Sequence, residues 1–424
     1  MANSAFFLRF GKSLTRFWQR FDIRVWVIFF SQIVTSMGFA LAMPFISIYF
    51  HSVLGVAMSI VGTIFLIRAA VAAAAQVVGG ELSDRFGRKR VMVSSLVFRI
   101  FLFLLLAAAV ALHTHYLVVA LVMIVGQGVG SLFMPASQAV VADVIEPRKR
   151  VEAYGLLRVG GNLGWAIGPI IGGFLARGSY AWLFVATAFA SLITTVLIAV
   201  FIREPAHARS PKEFKVRDLL HLGANRPLLI FCGLSLLIFI VAGQLIAPLS
   251  VFAVERVGIS TVQLGYLFTI NGLLVVVFQF PIATLIGRIQ LTSALALGSF
   301  LYALGYFSVG IAPSFLFLAL SMVVITAGEV MVKPAGMSLA ANMAPPDQKG
   351  RYIGIYGLTE SLGWSLGPFM GGILLDVFAK KAMQPWVIIA VLGIAAMIGF
   401  RWFRSKIPIA LDRSLEPQDA ETKI

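Results

Sequence analysis

Six charged side chains stand inside stretches of this sequence that are otherwise apolar: Arg68, Arg99, Arg158, Glu329, Lys333 and Glu360. A charge inside a membrane span costs several kcal/mol by insertion scales and marks function by default. Glu329 stands about fourteen residues into its stretch, near mid-membrane at ~1.5 Å of rise per residue, where a carboxyl can take up and release a proton. Lys333 follows one helical turn later on the same face. The two read either as a proton carrier with its neighbour or as a structural pair that satisfies itself. Arg68 lies near the middle of its stretch and is a candidate for a central cavity, with Gln32, Gln127, Gln244, Met43, Phe45 and Lys333. A cavity with Met and Phe and few charges suits a lipophilic solute. Arg99 is close enough to a stretch's end to snorkel to the surface, and no other part is expected of it.

The elements that must hold these groups are membrane helices. Of the 424 residues 59% are hydrophobic and only 12% charged, and the mean hydropathy is +0.94, more apolar surface than a water-soluble globule can hide. Runs of about 20 apolar residues, the length that crosses a ~30 Å hydrocarbon core, occur near 25–49, 58–79, 91–112, 116–141, 151–175, 180–202, 228–253, 262–286, 291–311, 315–341, 351–375 and 384–403. These predict an all-α membrane protein of twelve spans, six in each half: a bundle over 25–202, a linker over 203–227 with three prolines, and a second bundle over 228–403. Residues 1–24 set aromatic residues against Arg9, Lys12, Arg16 and Arg20, the pattern of a basic amphipathic helix on a membrane surface. The polar tail, 404–424, is expected to be disordered.

The net charge of +16 follows the topology. Of 34 Lys and Arg, 26 lie in or beside the termini and every second loop, so by the positive-inside rule both termini are cytoplasmic. The basic charge then points to anionic membrane lipids rather than nucleic acid. One cysteine, Cys232, excludes an intrachain disulfide, and the five histidines include no cluster with metal-ligand spacing. No Ser/His/Asp, paired-His or phosphate-loop constellation argues for an enzyme.

One phrase occurs twice. Gly164-Trp-Ala-Ile-Gly168-Pro169-Ile-Ile-Gly172-Gly173 returns 199 residues later as Gly363-Trp-Ser-Leu-Gly367-Pro368-Phe-Met-Gly371-Gly372, identical at six of ten positions. The register extends through each half, aligning Pro44 with Pro248, Gly55 with Gly258 and Gly62 with Gly265. Two copies of one six-helix module are a mark of secondary transporters. In this register Arg68 matches Asn271, so a polar group sits at the same depth in each half, facing a cavity or bonding across helices. Arg158 and Glu360 lie in the equivalent fifth and eleventh spans and are candidates for an ion pair between halves that breaks on rocking. The small residues at four-residue spacing in the phrase also let helices approach closely, so packing alone could account for it.

Between the second and third spans stands Gly80-Glu-Leu-Ser-Asp84-Arg85-Phe-Gly87-Arg88-Lys89. By charge it is a basic loop with a turn glycine. Its spacing resembles the signature loop of the major facilitator superfamily, and the phrase in the fifth span resembles the antiporter motif of that family's drug/proton exporters. The first span from Gly38 to Tyr49 and the segment Gly328-Glu329-Val-Met-Val-Lys333-Pro334 are similar to the same branch. The resemblance implies two six-helix bundles that rock about a central site. It also implies a cytoplasmic gate in which Asp84 meets the start of the eleventh span near Gly350-Arg351, with Arg88 in the same charge cluster. One departure matters: where the family's fourth span carries arginine three residues before Gln-Gly, this chain has Ile124 before Gln127-Gly128, and its first span has no acid.

The resulting expectation is a monomeric, multi-pass protein of a bacterial-type inner membrane that exports hydrophobic or amphiphilic small molecules in exchange for protons. Glu329 would carry the proton, and a proton gradient rather than a cofactor would supply the energy. A sugar or metabolite exporter, or a lysolipid flippase, of the same fold is the alternative.

Overall fold

The computed structural model describes residues 21–146, 150–203, 225–345 and 348–413. The amphipathic segment expected over 1–24 therefore lies almost wholly outside the described residues, as do most of the linker and the last part of the tail. In the first half, α1 (Ile23–Ile48) ends in a π-helical turn, Tyr49–Val53. It is followed by α2 (Met58–Phe86), α3 (Arg88–Ala111), α4 (Tyr116–Ser131, resuming past Leu132 as Phe133–Val144), α5 (Arg150–Gly178) and α6 (Tyr180–Phe201). In the second, α7 runs as Arg226–Ala242 and Ala247–Glu255 around a 3₁₀ turn at Gly243–Leu245. Then come α8 (Thr261–Ile286), α9 (Leu291–Gly310), α10 (Phe315–Asn342), α11 (Lys349–Val377) and α12 (Gln384–Phe403).

Helices are the form in which an apolar chain satisfies its own backbone in hydrocarbon. Eleven of these spans are long and apolar enough to cross a membrane. The remaining one, α11, has 29 residues, and its Glu360, Asp376 and seven glycines dilute its apolarity. Helix starts outside the hydrocarbon are capped by short polar side chains. Asp22 accepts from the Arg24 amide (2.8 Å) and Ser179 from that of Ala181 (3.2 Å), while Ser260 and Gln263 bond each other's backbone amides as a capping box.

Three features differ from expectation. The fourth and seventh spans are interrupted at Leu132 and Gly243–Leu245 rather than continuous. The charged loop is mostly helix: α2 extends through Phe86, and the turn into α3 is Gly87 alone, at φ 103°, a left-handed conformation that favours glycine. The tail's first residues are docked, not loose. Asp412 is buried, bonds the Thr292 amide (2.8 Å) and hydroxyl (2.7 Å) at the start of α9, and so caps a helix that Gln290 leaves uncapped.

The halves repeat one another in three dimensions. α1 packs on α5 and α6, α3 on α6; correspondingly α7 packs on α11 and α12, α9 on α12. Between halves α2 meets α11 and α5 meets α8, which exchange under the repeat. Gly55 and Gly258, aligned by sequence, both take left-handed φ after the first helix of their half. The halves join at the face away from the termini, called here the far face. There Asp376 of α11 accepts from the Met58 and Ser59 amides that begin α2 (2.9 and 2.7 Å), and the Thr261 hydroxyl of α8 donates to Gly173 O of α5 (3.2 Å). Ser52 and His51 reach Glu255 at the end of α7 (2.5 and 3.3 Å). Toward the terminal face the same helices stand free: a Cβ at Gly155 of α5, or at Gly354 or Gly357 of α11, would meet nothing within 4 Å. Among the described residues the hydrogen bonds and ion pairs between the halves gather at the far face, and none is found toward the terminal one.

Candidate functional site

The duplicated phrase explains where the halves close. A Cβ on Gly164 would come within 2.5 Å of Ile33 O, and one on Gly168 within 2.6 Å of Met37 O, both on α1. Gly172 sits equally tightly on Leu41. In the second copy Gly363, Gly367 and Gly371 seat on Phe239, Gly243 and Gln244 of α7. The last glycine of each copy faces the other half: Gly173 against Thr261 of α8, and Gly372 against Met58 of α2. The prolines do likewise, since a Cβ on Gly62 would approach Pro368 O to 2.6 Å and one on Gly265 would approach Pro169 O to 2.5 Å. Backbone contact at this range is open only to glycine, so both copies have a structural reason for every glycine they share.

Each phrase also delivers its tryptophan to the interior. Two adjoining cavities lie between the helices. One, about 440 Å³, belongs to the first half, where Gln32, Met43, Arg68, Gln127 and Arg158 line it together with Arg99 and Phe103. The other, about 320 Å³, is lined by Asn271, Glu329, Lys333 and Trp364. Asn162 and Trp165 border both. Of the residues expected in a cavity, Gln32, Met43, Arg68, Gln127, Asn271, Lys333 and Glu329 are therefore brought to it.

Two are not. Phe45 is fully buried and packs beneath Gly172. Gln244 is fully buried and donates to Ile240 O (3.0 Å) and Gly367 O (2.9 Å), pinning the broken part of α7 to α11. Where α7 loses its regular backbone ladder, a side-chain amide is recruited to carbonyls, which takes Gln244 out of the cavity.

Within the second cavity the Glu329 carboxylate is held at both oxygens. Oε1 pairs with Lys333 Nζ at 2.9 Å and Oε2 accepts from Asn271 Nδ2 at 3.1 Å, whose amide also reaches the Thr326 hydroxyl (2.9 Å). The Lys333 ammonium lies 5.6 Å from the Trp364 ring centre, a cation–π arrangement. In the first cavity Arg68, the repeat partner of Asn271, donates from Nε to Gln127 Oε1 (3.0 Å), and the Gln127 amide donates on to Ser131 (3.3 Å). The matched positions thus do both things the sequence allowed: each lines a cavity and each bonds to the fourth helix of its own half.

Arg99 departs from expectation. It is buried at 6% exposure and lines the first cavity instead of reaching the surface. Its side chain lies along Gly130 of α4, whose Cβ position is 3.4 Å from Arg99 Cδ. An arginine thus stands beside the Gln127–Gly130 segment after all, contributed by α3 and not by position 124. Asn162, Trp165 and Trp364 also went unread as cavity residues. The signal was present for the tryptophans, which recur at the second position of the repeated phrase.

The two charges expected to bridge the halves do not pair directly, although Arg158 lies within electrostatic range of Glu329 and Lys333 of the other half. Arg158 and Glu360 form no ion pair, consistent with the unseated stretches of α5 and α11 around Gly155 and Gly357. Asp84 pairs within its own half with Arg88 (3.1 Å), while the side chains at the start of α11 lie partly outside the described residues. Arg88 also holds Asp143 at the end of α4 (2.5 Å), and Lys89 donates to Ala199 O of α6 (2.7 Å). Gly80 is helical with open space at its Cβ position, and Arg85 lies over its neighbour Phe86.

Two repeat-related bundles, joined at one face around a polar interior, define a multi-pass membrane transporter. The sequence model of the Major Facilitator Superfamily matches residues 28–308 and 232–422, and the chain belongs to that superfamily, whose similar members are transporters and not enzymes. It is 28% identical over 372 residues to the multidrug resistance protein MdtH of Enterobacter sp. (strain 638), covering 86% of this chain and 90% of that protein. It is 26% identical over 382 residues to the MFS-type transporter YqjV of Bacillus subtilis (strain 168), covering 88% and 91%. Among solved structures, a bacterial homologue of the human lysosomal transporter Spinster, in an inward-facing and occupied conformation, superimposes with a TM-score of 0.73 at 14% identity, over 93% of this chain and 99% of that one.

Proposed function

We propose that this transporter exports hydrophobic or amphiphilic small molecules in exchange for protons. The terminal face is cytoplasmic in this reading, on the bias of Lys and Arg toward it, and the described conformation is the state that loads from the cytoplasm. The membrane is the inner membrane of a bacterial-type cell. The observation that carries the reading is Glu329, a carboxylate inside the cavity at the boundary between halves, held by Lys333 and Asn271 where a substrate must pass. Exchange follows if the interior holds either the substrate or a proton on Glu329 but not both: a proton on Glu329 releases Lys333, and loss of the proton restores the pair. The mostly apolar and aromatic remainder of the lining, and the similarity to MdtH, support a lipophilic cargo.

The test is transport in proteoliposomes under an imposed pH difference, with a neutral amphiphile, 1-pyrenebutanol, and an anionic one, 1-pyrenebutyrate, as first probes and panels of sugars and lysolipids beside them. Glu329→Gln should lose proton-driven accumulation by about tenfold or more, on the scale of general acid–base groups, while exchange of one substrate molecule for another persists. Full proton-driven export by that variant would exclude Glu329 as the carrier.

A further inference from the structure

The first-half cavity is cationic among the described residues that line it. Arg68, Arg99 and Arg158 line it, and no Asp or Glu does. Arg68 and Arg99 are each only 6% exposed and lie within electrostatic range of each other. Among the described residues no carboxylate pairs with either. Arg68 spends one N–H on Gln127. Its guanidinium otherwise faces the rings of Phe39 and Phe65 (5.1 and 5.4 Å), and that of Arg99 faces Phe103 (5.2 Å).

Two like charges buried together without a counterion are costly. Cation–π contacts return only part of that cost. Among the described residues only one N–H of these two forks, Arg68 Nε–H, donates to a protein acceptor, although the guanidinium is the side chain suited to grip a carboxylate or phosphate at two points. The apolar part of the lining includes Phe39, Met43, Met123, Phe133, Trp165 and Phe184, beside the polar Gln32, Ser36, Gln76 and Asn162. A volume of about 440 Å³ falls in the range of small-molecule sites.

We propose that this cavity is the headgroup subsite of the transported molecule, and that the cargo is an amphiphilic anion, with its carboxylate or phosphate between Arg68 and Arg99 and its apolar body against the aromatic wall. The proposal rests on the export reading only for the cavity being on the substrate path. The opposed second cavity, where Glu329 and Lys333 cancel, keeps a separate role, so anion selection and proton coupling fail independently.

The test is equilibrium binding to the full-length protein in nanodiscs, using 1-pyrenebutyrate and its neutral analogue 1-pyrenebutanol. The anion should bind at least about tenfold tighter than the alcohol, the yield of one good charge-assisted contact. Arg68→Gln and Arg99→Gln should each remove most of that preference by weakening pyrenebutyrate far more than pyrenebutanol, and the pyrenebutanol binding that remains shows that the variants are folded. Competition by decanoate against competition by monoacyl lysophosphatidic acid separates the carboxylate source from the phosphate source. Equal binding of the two pyrenes to the unmodified protein, or a preference that survives both substitutions together, overturns the proposal. Because the assay imposes no pH gradient, a transporter that prefers the anion yet shows no proton-driven flux would fail the coupling reading and keep this one.

Discussion

At the scale of residues, the interior is a contest between pairing and availability. Glu329 and Lys333 close on each other and on Asn271, whereas Arg68 and Arg99 keep donors to spare. Removing one partner of a pair should therefore cost more than removing both. Lys333→Met should lower stability by about 2 kcal/mol, less than the ~3–5 kcal/mol of a fully enclosed pair, because the lysine retains 26% exposure. Adding Glu329→Gln should recover most of the loss, a non-additivity that thermal unfolding of the two single variants and the double variant would measure. A single Lys333 variant as stable as the parent would mean that the pair is held by solvent and not by the protein.

At the scale of elements, the repeated phrase is a seam. Its glycines bring α5 onto α1 and α11 onto α7 at backbone contact, and its last glycine and proline bring each helix onto the opposite half. A side chain at Gly168 must displace the α1 backbone, so Gly168→Val should cost about 1–3 kcal/mol or more and broaden thermal unfolding. Gly155→Ala, just under one turn before the cavity arginine at 158 on no seam, should be neutral or stabilising by up to about 1 kcal/mol from helix propensity. Equal losses at both positions would show that the seam is not what makes the glycines necessary. The resemblance of the phrase to an antiporter motif therefore needs no direct part in transport: it shapes the far face and aims Trp165 and Trp364 inward.

At the scale of the whole molecule, the two faces are latched differently. The far face is held across the halves by Asp376 on the start of α2, where the helix dipole adds to two amide bonds, and by Glu255 with Ser52 and His51. At the terminal face Arg88 ties Asp84 and Asp143 within one half. Asp376→Asn removes the charge and one of two acceptors, and should shift the population toward opening at the far face. Spin labels at Val53 and Lys380 in a Cys232→Ser background should then show a growing long-distance component; an unchanged distribution would remove Asp376 from the latch. By itself the sequence determined that this is a twelve-span duplicated membrane protein, because span length and repeat register are set locally by hydrocarbon thickness and backbone satisfaction, while the resemblance to the major facilitator superfamily rested on the loop from Gly80 to Lys89. It also located Glu329, Lys333, Arg68 and Asn271, since a charge or amide deep in an apolar run is conspicuous on its own. Only the tertiary structure decided that Gln244 and Phe45 are packing, that Arg99 turns inward to lie along Gly130, that Asp412 caps α9, and that Arg158 and Glu360 do not pair directly. Those outcomes depend on which helix lies opposite and at which face the halves join, and neither is encoded in any single stretch of chain.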